Sequence, residues 1–185
     1  MERMARPPSG LRGHILESAR GLFAEHGFKG TSLHDIAVGA DCSKSALLYH
    51  FAGKEAILTE VLTGPAEALA ALGRTLGRLE GEEAQEAAVT GFVDLALSFS
   101  SEVKILFAEL PEMLGHPVLA VVPQAVDDLA TALAGGAREP DAQIAAWMVI
   151  GGTAVTTAQY AHTEEQALRS SMVEGALRLL GRRSP

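Results

Sequence analysis

A single cysteine, Cys42, excludes an intramolecular disulfide framework. The six histidines, at 14, 26, 34, 50, 116 and 162, include no i,i+4 pair and have no companion cysteines, so no metal site is expected. There is no Gly-rich phosphate loop, no Gly-x-Ser-x-Gly and no plausible nucleophile beside a base, which argues against an enzyme and against any cofactor. No N-terminal run joins a basic start to a long apolar segment and a small-residue cleavage site, and a cytoplasmic chain is therefore expected. The longest uncharged stretch, residues 142–163, holds two glutamines, four threonines and a histidine, so it reads as a buried helix and no membrane is expected. Strand-like alternation, internal repeats and low-complexity segments are also missing.

Basic excess is lacking too, because the net charge is −8. The deficit is uneven. Residues 1–63 carry seven basic and seven acidic groups, whereas residues 64–185 carry eight and sixteen. Only the first part is suited to approach phosphates.

With 48% apolar residues in 185, the chain can bury a sizeable core, and the apolar positions recur at helical spacing almost throughout. Leu11, Ile15, Ala19, Leu22 and Phe23 mark one face of a first helix that Gly27 and Gly30 bring to a stop. In "TSLHDIAVGA", Thr31 or Ser32 can cap a second helix, and Asp35 stands three residues after Ser32 as in a capping box. Gly39 ends it. Ser43 is placed to cap a third helix that carries Leu47 and Phe51 on its inner side. Helices this short are marginal alone; packing of Leu33, Ile36, Leu47 and Phe51 on Leu22 and Phe23 must hold them. This is a helix-turn-helix arrangement, about residues 32–51, and it frees Ser43, Lys44 and Ser45 to enter a major groove, with Tyr49 and His50 a turn further on.

The run from Ile15 to Leu58, through "LFAEHGF", "TSLHDIA", "SKSALLYHF" and "KEAIL", resembles the DNA-binding segment of the TetR family of bacterial transcriptional regulators. The resemblance implies an all-α fold: a three-helix DNA-binding domain, residues 9–60, followed by a helical effector-binding and dimerisation bundle, residues 61–185. It implies a ligand-responsive regulator, most readily a repressor, that binds a palindromic operator in double-stranded DNA as a homodimer and is released by a small molecule. Carried across by position, it places Thr31, Tyr49, His50 and Lys54 at the DNA backbone, with Ser32 beside them, and Ser43, Lys44, Ser45 and Ala46 nearest base edges. The turn and third helix depart from the family pattern at four positions. Asp41 replaces a common glycine in the turn, Cys42 replaces an apolar valine, Ser45 takes another position often held by glycine, and Leu48 replaces a usual tyrosine. Asp41 and Leu48 would also suit an alternative, a helical protein-interaction module whose head has lost DNA binding.

In the second part, helical segments are expected from Lys54 to Leu79 with a break near Gly64-Pro65, then Glu82–Phe99, Val103–Leu110, Val118–Ala134, Asp141–Thr163 and Glu165–Leu180. The last two, with Gly151, Gly152, Ala154 and Ala158 permitting close approach, are the expected dimer contact. Phe92, Leu95, Phe99, Phe107, Met113, Leu114, Trp147 and Met148 are the large soft residues expected to line an effector pocket. Few cations lie near them, so an apolar or cationic effector is expected, with Asp94, Glu109 and Glu112 available to a cation.

Overall fold

The computed structural model describes residues 10–108, 116–160 and 164–181, and these contain helices and no strand. The helices are α1 (Leu11–Gly30), α2 (Leu33–Gly39), α3 (Lys44–His50), α4 (Lys54–Leu76), α5 (Gly81–Ser98), α6 (Ser100–Ala108), α7 (Val122–Leu133), α8 (Pro140–Tyr160) and α9 (Glu165–Leu179), with a 3-10 turn over Pro117–Leu119. The described residues divide into two compact units at Thr63 and Gly64.

The first unit packs around Ile15, Ala19 and Phe23 of α1, Ile36 of α2, Leu47 of α3, and Ile57, Leu58 and Leu62 of α4, all wholly buried. The Ile, Leu and Phe side chains among these contribute about 1.5–3 kcal/mol each on burial, which is what fixes two seven-residue helices that could not persist alone. Gly27, at φ 75°, kinks α1 before its last turn. The α2–α3 turn is a Schellman closure. Cys42 N–H donates to the Ala37 carbonyl and Asp41 N–H to that of Val38, with Asp41 itself at φ 51°. Asp tolerates this left-handed geometry better than most residues, so its presence in place of glycine leaves the turn intact. The crossing of α1 and α2 is close: a Cβ on Gly39 would stand 2.3 Å from Ser18 Oγ, and that hydroxyl donates to the Ile36 carbonyl at 3.1 Å.

In the second unit, Leu76, Ala88, Val89, Phe92, Leu129, Leu133, Ala146 and Val149 form one core cluster. Asp94 on α5 and Arg169 on α9 are joined by a two-pronged ion pair, Nε to Oδ1 at 2.5 Å and a terminal nitrogen to Oδ2 at 2.9 Å. The carboxylate raises the already high pKa of Arg169, first through that hydrogen bond.

Several helix boundaries differ from the expected ones, and α4 ends at Leu76 rather than Leu79. Residue 65 does not break α4, which runs through it. A proline inside a helix removes one intrahelical donor and crowds the preceding turn, and here Val61 and Leu62 before it and Ala66 after it are buried, each within its own unit. The segment expected from Val118 opens instead with the 3-10 turn, capped by His116, and α7 starts only at Val122, with Pro123 in its first turn where a missing N–H is harmless. Helix α6 begins at Ser100, directly after the end of α5, rather than at Val103. Among the described helices, α4 is long and apolar enough to cross a bilayer by length and composition, yet its Ile57, Leu58, Leu62 and Leu76 are core residues.

Candidate nucleic-acid interface

Local chemistry sets the two ends of the helix-turn-helix. At the start of α2, Ser32 Oγ accepts from Asp35 N–H at 3.2 Å, and the Asp35 carboxylate accepts from Ser32 N–H at 2.9 Å and from its hydroxyl at 2.7 Å. The Ser32 hydroxyl, then its backbone N–H, hold the Asp35 carboxyl below the usual carboxylate range. At the start of α3, Ser43 Oγ accepts from Ala46 N–H at 3.1 Å. Capping of this kind contributes about 1 kcal/mol per helix.

With Leu47 turned into the core, helical geometry sends the neighbouring positions outward. Ser43, Lys44 and Ser45 are exposed, Ala46 and His50 are half-buried, and Lys44 has no ion pair among the described residues. Tyr49 is 87% exposed, its ring edge-on to that of His50 at 5.3 Å. A one-turn stripe of cation, hydroxyls and phenol thus stands clear of the fold. Donors of this kind serve phosphate oxygens and base edges.

Two of the residues expected at the DNA backbone are engaged within the fold of the free protein. Thr31 is only 2% exposed, and its hydroxyl donates to the carbonyls of Gly27 at 2.9 Å and Leu22 at 3.2 Å. The Lys54 ammonium donates to the carbonyls of Phe28 and Thr31 and lies 4.3 Å above the Phe28 ring. Both residues close the frayed C-terminal turn of α1, whose last carbonyls have no helical partner. In the free protein both residues brace the start of α2 and α3. Arg12, overlooked in the sequence, plays a similar part: it pairs with Glu60 and stacks 4.7 Å above Phe51.

The expected effector residues scatter. Phe92 is packed inside the core cluster, while Leu95 and Phe99 are half-buried. Trp147 and Met148 are 50% and 55% exposed. The inward face of α8 is Ala146, Val149, Thr153 and Thr157, so positions 147 and 148 turn away from it. Those two join exposed Ile144 and Val155 in a stripe at spacing 144, 147, 148, 155. Met148 also lines a groove of about 270 Å³ with Gly152, Thr156, Met172, Gly175 and Leu179. The Phe107 side chain, Met113 and Leu114, and with them Glu109 and Glu112, lie outside the described residues. Asp94 is committed to Arg169 and is not a free anchor for a cation. Polar groups that hydropathy passed over are buried instead: Glu102, Thr153 and Thr157. Among the described residues the Thr157 hydroxyl has no hydrogen-bond partner.

A short recognition helix, capped, braced from behind and presenting lysine, serine and tyrosine outward, defines a helix-turn-helix transcriptional regulator. Residues 15–61 match the model of "Bacterial regulatory proteins, tetR family". The regulator RutR of Escherichia coli is 30% identical over 158 residues, a match spanning 85% of this chain and 71% of RutR. The chain belongs to the TetR family. The repressor KstR2 of Mycobacterium tuberculosis is 42% identical over 64 residues, which are 35% of this chain and only 32% of KstR2. The solved structure of that "ketosteroid transcriptional regulator" superposes with a TM-score of 0.80 at 22% identity, covering 97% of each chain. At that identity the likeness concerns the fold. Members of the family are DNA-binding regulators, not enzymes.

Proposed function

We propose that the protein is a cytoplasmic repressor that binds a palindromic operator as a homodimer and is released by an apolar small molecule. The observation that carries the reading is the outward stripe of Ser43, Lys44, Ser45 and Tyr49 on a helix whose other side is locked into the core. Ser32, Ala46 and His50 flank it. Intact closure of the turn by Asp41 removes one of the two reasons to regard the head as a degraded DNA binder.

The experiment is a mobility-shift titration of Lys44→Ala/Tyr49→Ala. Loss of a cation and a phenol from the DNA-facing surface weakens binding about tenfold or more and reduces the salt slope by about one. Wild-type affinity across moderate salt in the double variant rejects the assignment.

Dimerisation is supported by the exposed stripe of α8 and by Gly151 and Gly152 on the same side, where an added Cβ would meet nothing. Each glycine costs about 1 kcal/mol of helix propensity, and close approach of a second copy would offset it. Trp147 is the sole tryptophan and is half exposed in the single chain, so its emission is expected to shift to the blue as protein concentration rises through the dimer dissociation constant. A wavelength that stays constant while sedimentation shows the dimer forming would place the contact elsewhere.

For the effector, the engagement of Asp94 by Arg169 weighs against a cation, and the unpartnered Thr157 hydroxyl supports an apolar molecule carrying one hydrogen-bonding group. To change operator occupancy it must bind the DNA-competent and released states unequally. In the released state the recognition helices would no longer match half-sites about one helical turn apart.

A further inference from the structure

We infer that Leu48 reads a thymine methyl group in the operator and makes the protein selective for thymine at one position of each half-site. The inference rests on the DNA-binding reading above.

Among the described residues of the first unit, the large apolar side chains left exposed are Val38, Leu48 and Tyr49. Val38 belongs to the stripe of α2 that contains His34, four residues earlier, and is not on α3. Leu48 directly follows Leu47, and the roughly 100° between successive helical positions puts one in the core at 0% exposure and the other outside at 45%. Four residues before Leu48 stands Lys44, so the two share a face. The leucine therefore stands on the stripe headed by Lys44, one turn further along.

A tyrosine at this position would bring a hydroxyl; leucine can neither donate nor accept a hydrogen bond. Against a phosphate it gains nothing. Against the N7, O6, O4, N6 or N4 atoms of base edges it would strip water without replacing it, which is unfavourable. The remaining feature of the major groove is the thymine C5-methyl, which an apolar side chain meets favourably and which cytosine lacks. An isobutyl group half exposed in the free protein is buried by that contact, so an otherwise unhelpful surface leucine acquires a use.

The test starts by selecting bound duplexes from a random-sequence pool with the full-length protein. Each thymine of the consensus is then replaced singly by deoxyuridine, which removes only the methyl, and affinities are measured by fluorescence anisotropy for the wild type and for Leu48→Ala. At one thymine per half-site the wild type is expected to lose about fourfold in affinity, the effect of one methyl leaving apolar contact. Leu48→Ala should bind the thymine and deoxyuridine duplexes equally. The inference is overturned if no deoxyuridine weakens the wild type, or if the same loss persists in Leu48→Ala. Failure to select any duplex would overturn the DNA-binding reading itself, and a selected but methyl-indifferent duplex overturns only the role of Leu48.

Discussion

Replacing Lys54 with methionine is expected to unlatch the end of α1 and destabilise the helix-turn-helix by about 2–3 kcal/mol, because a charged donor to two partly buried carbonyls disappears while its stem remains. The ammonium is the hydrogen-bond donor to the carbonyls of Phe28 and Thr31 and also covers the Phe28 ring. Methionine keeps the packing and removes the charge, so lost volume does not confuse the result. The variant separates two roles that a simple binding assay would merge. A phosphate ligand would lower affinity for DNA and leave the free protein unchanged. A latch would loosen the free protein: hydrogen exchange at the amides of Ile36 and Leu47, both in helices that lean on α1, should rise about 30- to 150-fold, one decade per 1.36 kcal/mol. Unchanged protection at those amides would return Lys54 to the DNA-contacting set.

The second large effect is a gain. Thr157→Val is expected to stabilise the ligand-free protein by about 1–3 kcal/mol, since valine has nearly the shape of threonine and relieves a buried hydroxyl of its unmet hydrogen bond. Other helical hydroxyls in the chain return to the carbonyl four residues earlier: Thr59 to Glu55 at 2.8 Å, Thr63 to Thr59 at 2.7 Å and Thr131 to Asp127 at 2.9 Å. Thr157, at 0% exposure, does not. Equilibrium denaturation of the full chain at fixed concentration reads the change. If the hydroxyl is kept to meet an effector, the same variant should be poorly released from DNA. Destabilisation by more than about 1 kcal/mol would show that the hydroxyl is bonded in the folded protein after all.

What the sequence disclosed was mostly local. Ser32 with Asp35, and Ser43 ahead of Ala46, are separated by three residues, so the chemistry that starts α2 and α3 is visible in the order of residues. The left-handed turn at Asp41 was legible for the same reason. The inward use of Lys54 was not, because its acceptors lie 26 and 23 residues away and depend on how α4 meets the end of α1. Nor could Trp147 and Met148 be assigned a side: α8 is apolar nearly all round, and an unbroken apolar surface carries no marker of which stripe faces home. Its inward face holds two threonines, which hydropathy alone would not have placed there.

The touching of Ser18 and Gly39 carries an evolutionary consequence. With 2.3 Å between an added Cβ and that serine oxygen, a methyl at 39 requires the Ser18 hydroxyl to turn away or be lost, and with it the link to Ile36. The constraint runs one way: a serine at 18 holds residue 39 to glycine, whereas glycine at 39 leaves residue 18 free to change.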